Sequence, residues 1–270
     1  MGPYRGPARN TWGVGHRYAY LDAALPIPFA HRGGAAEGDE NSLGAFDRAV
    51  KAGYVYLETD VHATSDGVAV VFHDRTTDRM LGRPGRIADL TWADLESIRV
   101  EGEAVVPRLT DVLEAFPDCR WNIDLKADNV VDPAIEAIWR LGARDRVLLA
   151  SFNDRRIRRA RDICGPRQAT SMGQWETAAL RIGSLHGRGM AGFIRGVAAV
   201  QVPVSYYRLR VVDARFINHA HRLGMQVHVW TIDDPAEMHE LLDLGVDGIM
   251  TDRIEVLRDV LTERGHWPSH

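Results

Sequence analysis

The chain has 270 residues, of which 45% are hydrophobic and 26% charged, with a formal net charge of −4. A chain of that length can bury a substantial core without disulfides, and it fits one α/β barrel or two ordinary domains. No stretch approaches the ~18 apolar residues of a membrane-spanning helix, and the even mix of signs argues against a nucleic-acid surface or a stable membrane anchor.

Residues 1–26 mix Gly, Pro, Arg and aromatic side chains without the apolar run of a secretion signal. We read them as a loop-like lead-in and expect a cytoplasmic protein. Cys119 and Cys164 are far apart and lack C-x-x-C spacing, so buried free thiols are expected rather than a disulfide or a zinc site. Ile27 to Ala30 is the first predicted strand, ending at His31-Arg32-Gly33-Gly34. Ser42 to Lys51 follows as a helix, capped by Asn41 or Ser42 and stopped at Gly53. Tyr54 to Val61 is the second strand, and Val68 to Phe72 a short extended run beyond the turn Ser65-Asp66-Gly67.

Residues 75–106 break this rhythm with Gly-rich turns and one short helical stretch, and read as an insertion. Beyond it, helical and extended segments alternate regularly to a final helix at Ile254 to Thr262. Without the run at Val68 to Phe72, this makes eight strand–helix units. Such alternation implies a parallel sheet, and eight units close most naturally into a (β/α)8 TIM barrel with a small insertion after the second barrel strand. The rival is a doubly wound open sheet, but the Gly-rich phosphate loop usual after its first strand is missing.

In such a barrel the chemistry sits at the C-terminal ends of the strands. The first strand ends in His31-Arg32, and the second carries Glu58, Asp60 and His62 at alternate positions, on one face. His73-Asp74 lies just beyond. The third barrel strand carries Asn122, Asp124 and Lys126 with the same spacing, and the seventh carries His228 and Trp230. A single acid or histidine at a strand end is usually a solvated rim residue, but the set is harder to dismiss. Neighbouring inward carboxylates repel unless a cation lies between them. Glu58, Asp60 and Asp124 supply three oxygen ligands that suit a hard ion, Mg²⁺ or Ca²⁺. Arg32 and Lys126 add phosphate-binding charge, and two histidines supply acid–base groups. Together they describe a site for cleaving a phosphate diester.

The ordered residues His31-Arg32-Gly33, Glu40-Asn41-Ser42, Glu58-x-Asp60, His73-Asp74 and Asn122-x-Asp124-x-Lys126 resemble the signature of the glycerophosphodiester phosphodiesterase family. Trp230-Thr231 and Asp247-Gly248-Ile249-x-Thr251-Asp252 resemble its closing segments. The resemblance runs from about Phe29 to Ile254. It implies a barrel with an insertion after His73-Asp74, His31 and His73 as general acid and base, and Glu58, Asp60 and Asp124 as metal ligands. It also implies Arg32 and Lys126 as phosphate contacts and Trp230 as a wall of the alcohol pocket. Position 124 departs from the family, which more often has Glu there.

The expected substrate is a small glycerophosphodiester. The alternatives are a lysophospholipase D-type hydrolase, which would need an apolar groove in the insertion, and a non-catalytic phosphodiester-binding barrel. Glu40 is expected to position Arg32 or Asn41, and His62 to contact substrate or brace the site from behind. We read Asp252 as the cap of the last helix, Arg155 to Arg161 as a solvated helix face, and His219 and His221 as helical and remote from the mouth.

Overall fold

The computed structural model describes residues 17–100, 103–186, 197–207 and 209–267. Eight parallel strands close on themselves: β1 (Ile27–Ala30), β2 (Tyr56–Ala63), β3 (Arg120–Leu125), β4 (Val147–Ala150), β5 (Ala169–Ser171), β6 (Val197–Val202), β7 (Gln226–Val229) and β8 (Gly248–Thr251). Each pairs with the next in sequence, and β8 pairs with β1, which closes the barrel. The expected barrel is therefore present. Eight helices follow the strands in turn: α1 (Leu43–Lys51), α2 (Leu109–Ala115), α3 (Val131–Arg140), α4 (Asp154–Cys164), α5 (Gln174–His186), α6 (Ala214–Arg222), α7 (Pro235–Leu244) and α8 (Ile254–Glu263).

Local chemistry fixes several helix starts. Ser42, Asn153, Asp213 and Asp234 each accept a backbone N–H of the first turn, and Pro235 opens α7 where its missing N–H costs nothing. The apolar side chains divide into an outer cluster between barrel and helices and an inner cluster that fills the barrel. Of the lead-in, residues 1–16 lie outside the described residues; residues 17–26 are irregular apart from a 3-10 turn at Ala19–Leu21, as a loop-like segment should be, but they join the inner cluster. Tyr18, Tyr20 and Leu21 are buried, the Tyr20 ring meets Tyr56 edge-on at 5.3 Å, and Arg120 donates to the Tyr20 carbonyl at 3.0 Å. Tyr56 and Arg120 open their strands, so this segment plugs the N-terminal end of the barrel.

The insertion begins after an antiparallel strand, Ala69–Val71, that folds back on β2. It carries short helices at Asp78–Leu81 and Trp92–Glu96. Its large apolar residues, among them Ile87 and Leu95, pack with Val70, Phe72 and Val106 into a separate small core.

The basic stretch is a solvated face only in part: Arg155, Arg158 and Arg159 are exposed, but Arg156 and Arg161 are not. Arg161 forks onto both oxygens of buried Glu176 at 2.8 Å, while Arg156 donates to the Leu125 carbonyl and to Asp128. These side chains clip α4 to α5 and to β3, through partners that lie outside the stretch itself. Both cysteines are buried free thiols, as expected.

His221 on α6 meets Asp247 at 2.6 Å, and this hydrogen bond raises the imidazole pKa above its ordinary value. A raised folded-state pKa gives stability that is complete below the unfolded value and fades as pH rises through the folded one. We expect His221→Gln to destabilise the protein more at pH 5.5 than at pH 9, as read from urea midpoints. An equal loss at both values would contradict the charged pair.

Candidate active site

The site begins where β1 runs into a turn that only certain residues can make. Arg32 adopts φ 52° and Gly33 φ 84°. A Cβ on Gly33 would lie 2.8 Å from the Cβ of Ala45, so glycine is required by both conformation and space. This turn directs the Arg32 backbone N–H at Glu58 Oε2, 3.0 Å away, and lays its guanidinium over the second strand. Arg32 Nε lies 3.1 Å from Asp60 Oδ2, within ion-pairing range though off the hydrogen-bond line. Arg32 also donates to Glu40 Oε1 at 3.1 Å, which bears out the positioning role expected of Glu40.

Sheet register does the rest of the assembly. Asp60 on β2 stands opposite Asp124 on β3, with Glu58 opposite Asn122 one layer deeper. All three carboxylates are buried. Lys126 bridges the outer pair, with Nζ 2.7 Å from Asp60 Oδ1 and 2.7 Å from Asp124 Oδ2. Asn41 donates to Asp60 as well, at 3.0 Å. Lys126 and Arg32 hold Asp60 below the ordinary carboxylate range despite its burial. Glu58 fares differently: burial, then the charge of Asp60, pushes its acid up to about 7. Asp124 Oδ1 is buried and has no hydrogen-bond partner. Among the described residues no three His, Cys, Asp or Glu side chains form a ready cage for a metal ion; two of the expected ligands face Lys126 instead.

The two histidines flank this cluster. His31 Nε2 lies 3.7 Å from Glu58 Oε2. Its Nδ1 meets Asp252 Oδ1 at 2.6 Å, which places the proton on Nδ1 and turns Nε2 into the mouth. Burial works against protonating His31, but Glu58 and Asp252 outweigh it and the pKa is raised. Sequence reasoning missed this role of Asp252. It took the residue for a helix cap, whereas α8 has no side-chain cap at its start. Asp252 ends the last strand beside the first, so the contact spans 221 positions and becomes visible only when the barrel closes. We expect Asp252→Asn to keep the fold and lose roughly 10²-fold in kcat, part of what a correctly tautomerised acid–base group supplies. Steady-state kinetics checks this, and wild-type kcat would contradict it.

His73 is built in the same way. Its Nδ1 meets Asp74 Oδ1 at 2.7 Å. His62 holds it from behind through Nε2, 3.1 Å from the His73 carbonyl, so of the two expected roles for His62 the structure shows the bracing one. His228, in contrast, is wholly buried inside the barrel against Phe29, and burial lowers its pKa to about 4. It is a core residue. Trp230 is half-buried at the mouth and packs edge-on against Phe152 at 5.3 Å, while Lys126 Nζ sits 5.8 Å over the Phe152 ring. An aromatic wall therefore starts beside the cationic end of the site.

A closed parallel barrel whose mouth carries buried carboxylates, cationic side chains and two carboxylate-oriented imidazoles defines a hydrolase-type site for an anionic substrate. The chain belongs to the glycerophosphoryl diester phosphodiesterase family, whose model matches residues 31–256. It is 42% identical over 244 residues to a Mycobacterium tuberculosis protein named probable glycerophosphodiester phosphodiesterase 2, covering 89% of this chain and 92% of that one. It is also 27% identical over 273 residues to a human lysophospholipase D, covering 86% and 85%. A crystal structure of a glycerophosphodiester phosphodiesterase from Parabacteroides distasonis shares the fold, with a TM-score of 0.72 at 24% identity, covering 90% of this chain and all of that one. The protein is a phosphoric diester hydrolase with glycerophosphodiester phosphodiesterase activity. No helix among the described residues is long and apolar enough to cross a membrane.

Proposed function

We propose that this protein hydrolyses small glycerophosphodiesters to glycerol 3-phosphate and a free alcohol, using His31 and His73 as an acid–base pair at a divalent metal site. The observation that carries this reading is the pair of histidines, each with Nδ1 held by its own aspartate, so that the working nitrogen of each is Nε2. Oriented imidazoles of this kind accept and return protons. One takes the proton from the nucleophile, whether the adjacent glycerol hydroxyl or a water, and the other protonates the leaving alcohol. Arg32 and Lys126 bind the non-bridging phosphate oxygens, and Trp230 lines the alcohol side.

Two observations support a hard divalent ion, Mg²⁺ or Ca²⁺, held by Glu58, Asp60 and Asp124. Asp124 Oδ1 is orphaned in the interior, and burial together with the charge of Asp60 pushes Glu58 up to about 7 even with His31, Lys126 and Arg32 nearby. Carboxylates in that condition fit a cation that the side chains alone do not provide. When bound, the ion supplies charge stabilisation for the phosphoryl oxygens. In this reading Lys126 releases part of its hold on the carboxylates and turns to phosphate.

A second reading, the same cleavage on monoacyl glycerophosphodiesters, is favoured by one observation. That reading would need an apolar groove in the insertion, but the insertion's large apolar residues among those described pack mainly into its own small core. Exposed apolar side chains instead follow β4, β5 and β6: Phe152 just after β4, Trp175 at 77% exposure in the first turn of α5, and Tyr206, Tyr207 at 89% and Leu209 after β6. Exposed apolar side chains at the strand-end face of the barrel suit an acyl chain.

A substrate panel separates the two readings. Glycerophosphocholine and glycerophosphoethanolamine are compared with lysophosphatidylcholine below its micelle concentration, with products identified by mass. Higher kcat/KM on the small diesters supports the first reading, higher kcat/KM on the acylated one the second, and cleavage of neither removes both.

A further inference from the structure

Resting on the proposed roles of His73 and Arg32, we propose that Arg79, carried by the insertion, is a positioning residue that locks these two groups into one working geometry. Its guanidinium holds both sides at once. Nε donates to Asp74 Oδ2 at 2.6 Å, Nη2 to Glu40 Oε1 at 2.6 Å and Nη1 to Glu40 Oε2 at 3.1 Å. Asp74 in turn holds His73 Nδ1, and Glu40 accepts from Arg32. The result is an unbroken chain, His73–Asp74–Arg79–Glu40–Arg32, with Arg79 at its centre. The two end residues also lean on β2, Arg32 through Glu58 and Asp60 and His73 through His62, and Arg79 adds a side-chain brace between them. His73 stands beyond the strand that folds back on β2, and Arg32 stands in the turn after β1.

The chemistry of the central residue matters. A guanidinium has a planar fork that satisfies both Glu40 oxygens while its Nε points elsewhere, whereas an ammonium offers one compact point charge. The short helix Asp78–Leu81 sets where that fork lies, and the small core of the insertion, which includes Met80 and Leu81, seats the helix. The insertion thus acts on the reaction through one side chain and does not touch substrate through it. Arg79 is half exposed, so its ion pairs add little to stability, and their worth is geometric. A misplacement of about 1 Å in a reacting group costs on the order of 10²-fold in rate.

The test compares Arg79→Met and Arg79→Lys with the wild type on glycerophosphocholine, measuring kcat, KM and Tm. Arg79→Met is expected to lower kcat and raise KM, for a combined loss in kcat/KM of about 10–100-fold. Its Tm should move by less than about 4 °C. Millimolar methylguanidinium should restore part of the activity of Arg79→Met, and Arg79→Lys should fall between the two. Wild-type kcat and KM in Arg79→Met would overturn the proposal. So would a loss that tracks a large fall in Tm and that methylguanidinium leaves unchanged. His73→Ala, run alongside, separates the two layers of the argument: full activity there removes the proposed function itself, while a dead His73→Ala beside a normal Arg79→Met removes the brace alone.

Discussion

Replacing His31 or His73 by Ala is expected to cost about 10²–10⁴-fold in kcat for each, because a positioned acid or base contributes on that scale. The folded state should survive. His31 and His73 sit at the mouth, and their Nδ1 partners Asp252 and Asp74 are partly exposed and can turn to water. The control has to be chosen with care. His219 looked suitable in sequence, as a residue on an outer helix, but it is buried on α6 and its loss would report on packing. His186, exposed at the end of α5, is the better comparison and should stay at wild-type rate. The two histidine variants should also be non-additive, since an acid and a base that act in one transition state fail together. Circular dichroism alongside kinetics checks both halves of the expectation. Near-normal kcat in His73→Ala would point to another proton carrier and would break the proposed mechanism.

The second large effect concerns the carboxylates. Chelation should abolish activity, and Mg²⁺ or Ca²⁺ should restore it. Stabilisation of phosphoryl charge by a metal is worth several kcal/mol, and each ~1.4 kcal/mol is tenfold in rate. Glu58→Ala and Asp60→Ala should each fall by about 10²-fold or more on that scale. Asp60→Ala carries a further penalty, because it frees Lys126, Arg32 and Asn41 from a shared buried partner. Asp124 is the graded case. Asp124→Glu keeps the charge and restores the commoner family residue, so it should retain more activity than Asp124→Asn, which should need more metal for half activity. A metal titration of both variants decides the order. Equal metal dependence in Asp124→Asn and wild type would remove Asp124 from the ligand set, and full activity after exhaustive chelation would remove the metal.

Much of this site is legible in the amino-acid sequence. Period-two spacing along β2 and β3 placed Glu58, Asp60 and Asp124 on inward positions, and the observed register sets Asp60 directly opposite Asp124. Glu40 reached Arg32 as expected, and the insertion fell where the alternation broke. What the chain order hid were contacts that exist only through closure or burial. Asp252 reads locally as a cap because Asp before a helix usually is one, yet barrel closure carries it to His31. Arg155 to Arg161 read as solvated because its acidic partners lie outside the stretch, Glu176 on the next helix. The lead-in read as loop because three aromatic and aliphatic side chains without periodicity give no strand or helix signal, although Tyr18, Tyr20 and Leu21 fill the floor of the barrel. Lys126 reads as a phosphate contact from its charge and from the family resemblance, and the structure adds that it bridges two carboxylates, so its availability to substrate is linked to what else neutralises Asp60 and Asp124.

The most direct test of the central claim is hydrolysis of glycerophosphocholine in ¹⁸O-labelled water, followed by ³¹P NMR. Attack at phosphorus, by water itself or on a cyclic phosphate made by the glycerol hydroxyl, places one ¹⁸O in the phosphoryl group of glycerol 3-phosphate and none in choline. That label, lost in His31→Ala and His73→Ala and in chelated enzyme, is the result expected here. Label in the alcohol, or release of phosphocholine and glycerol in place of glycerol 3-phosphate, would contradict it.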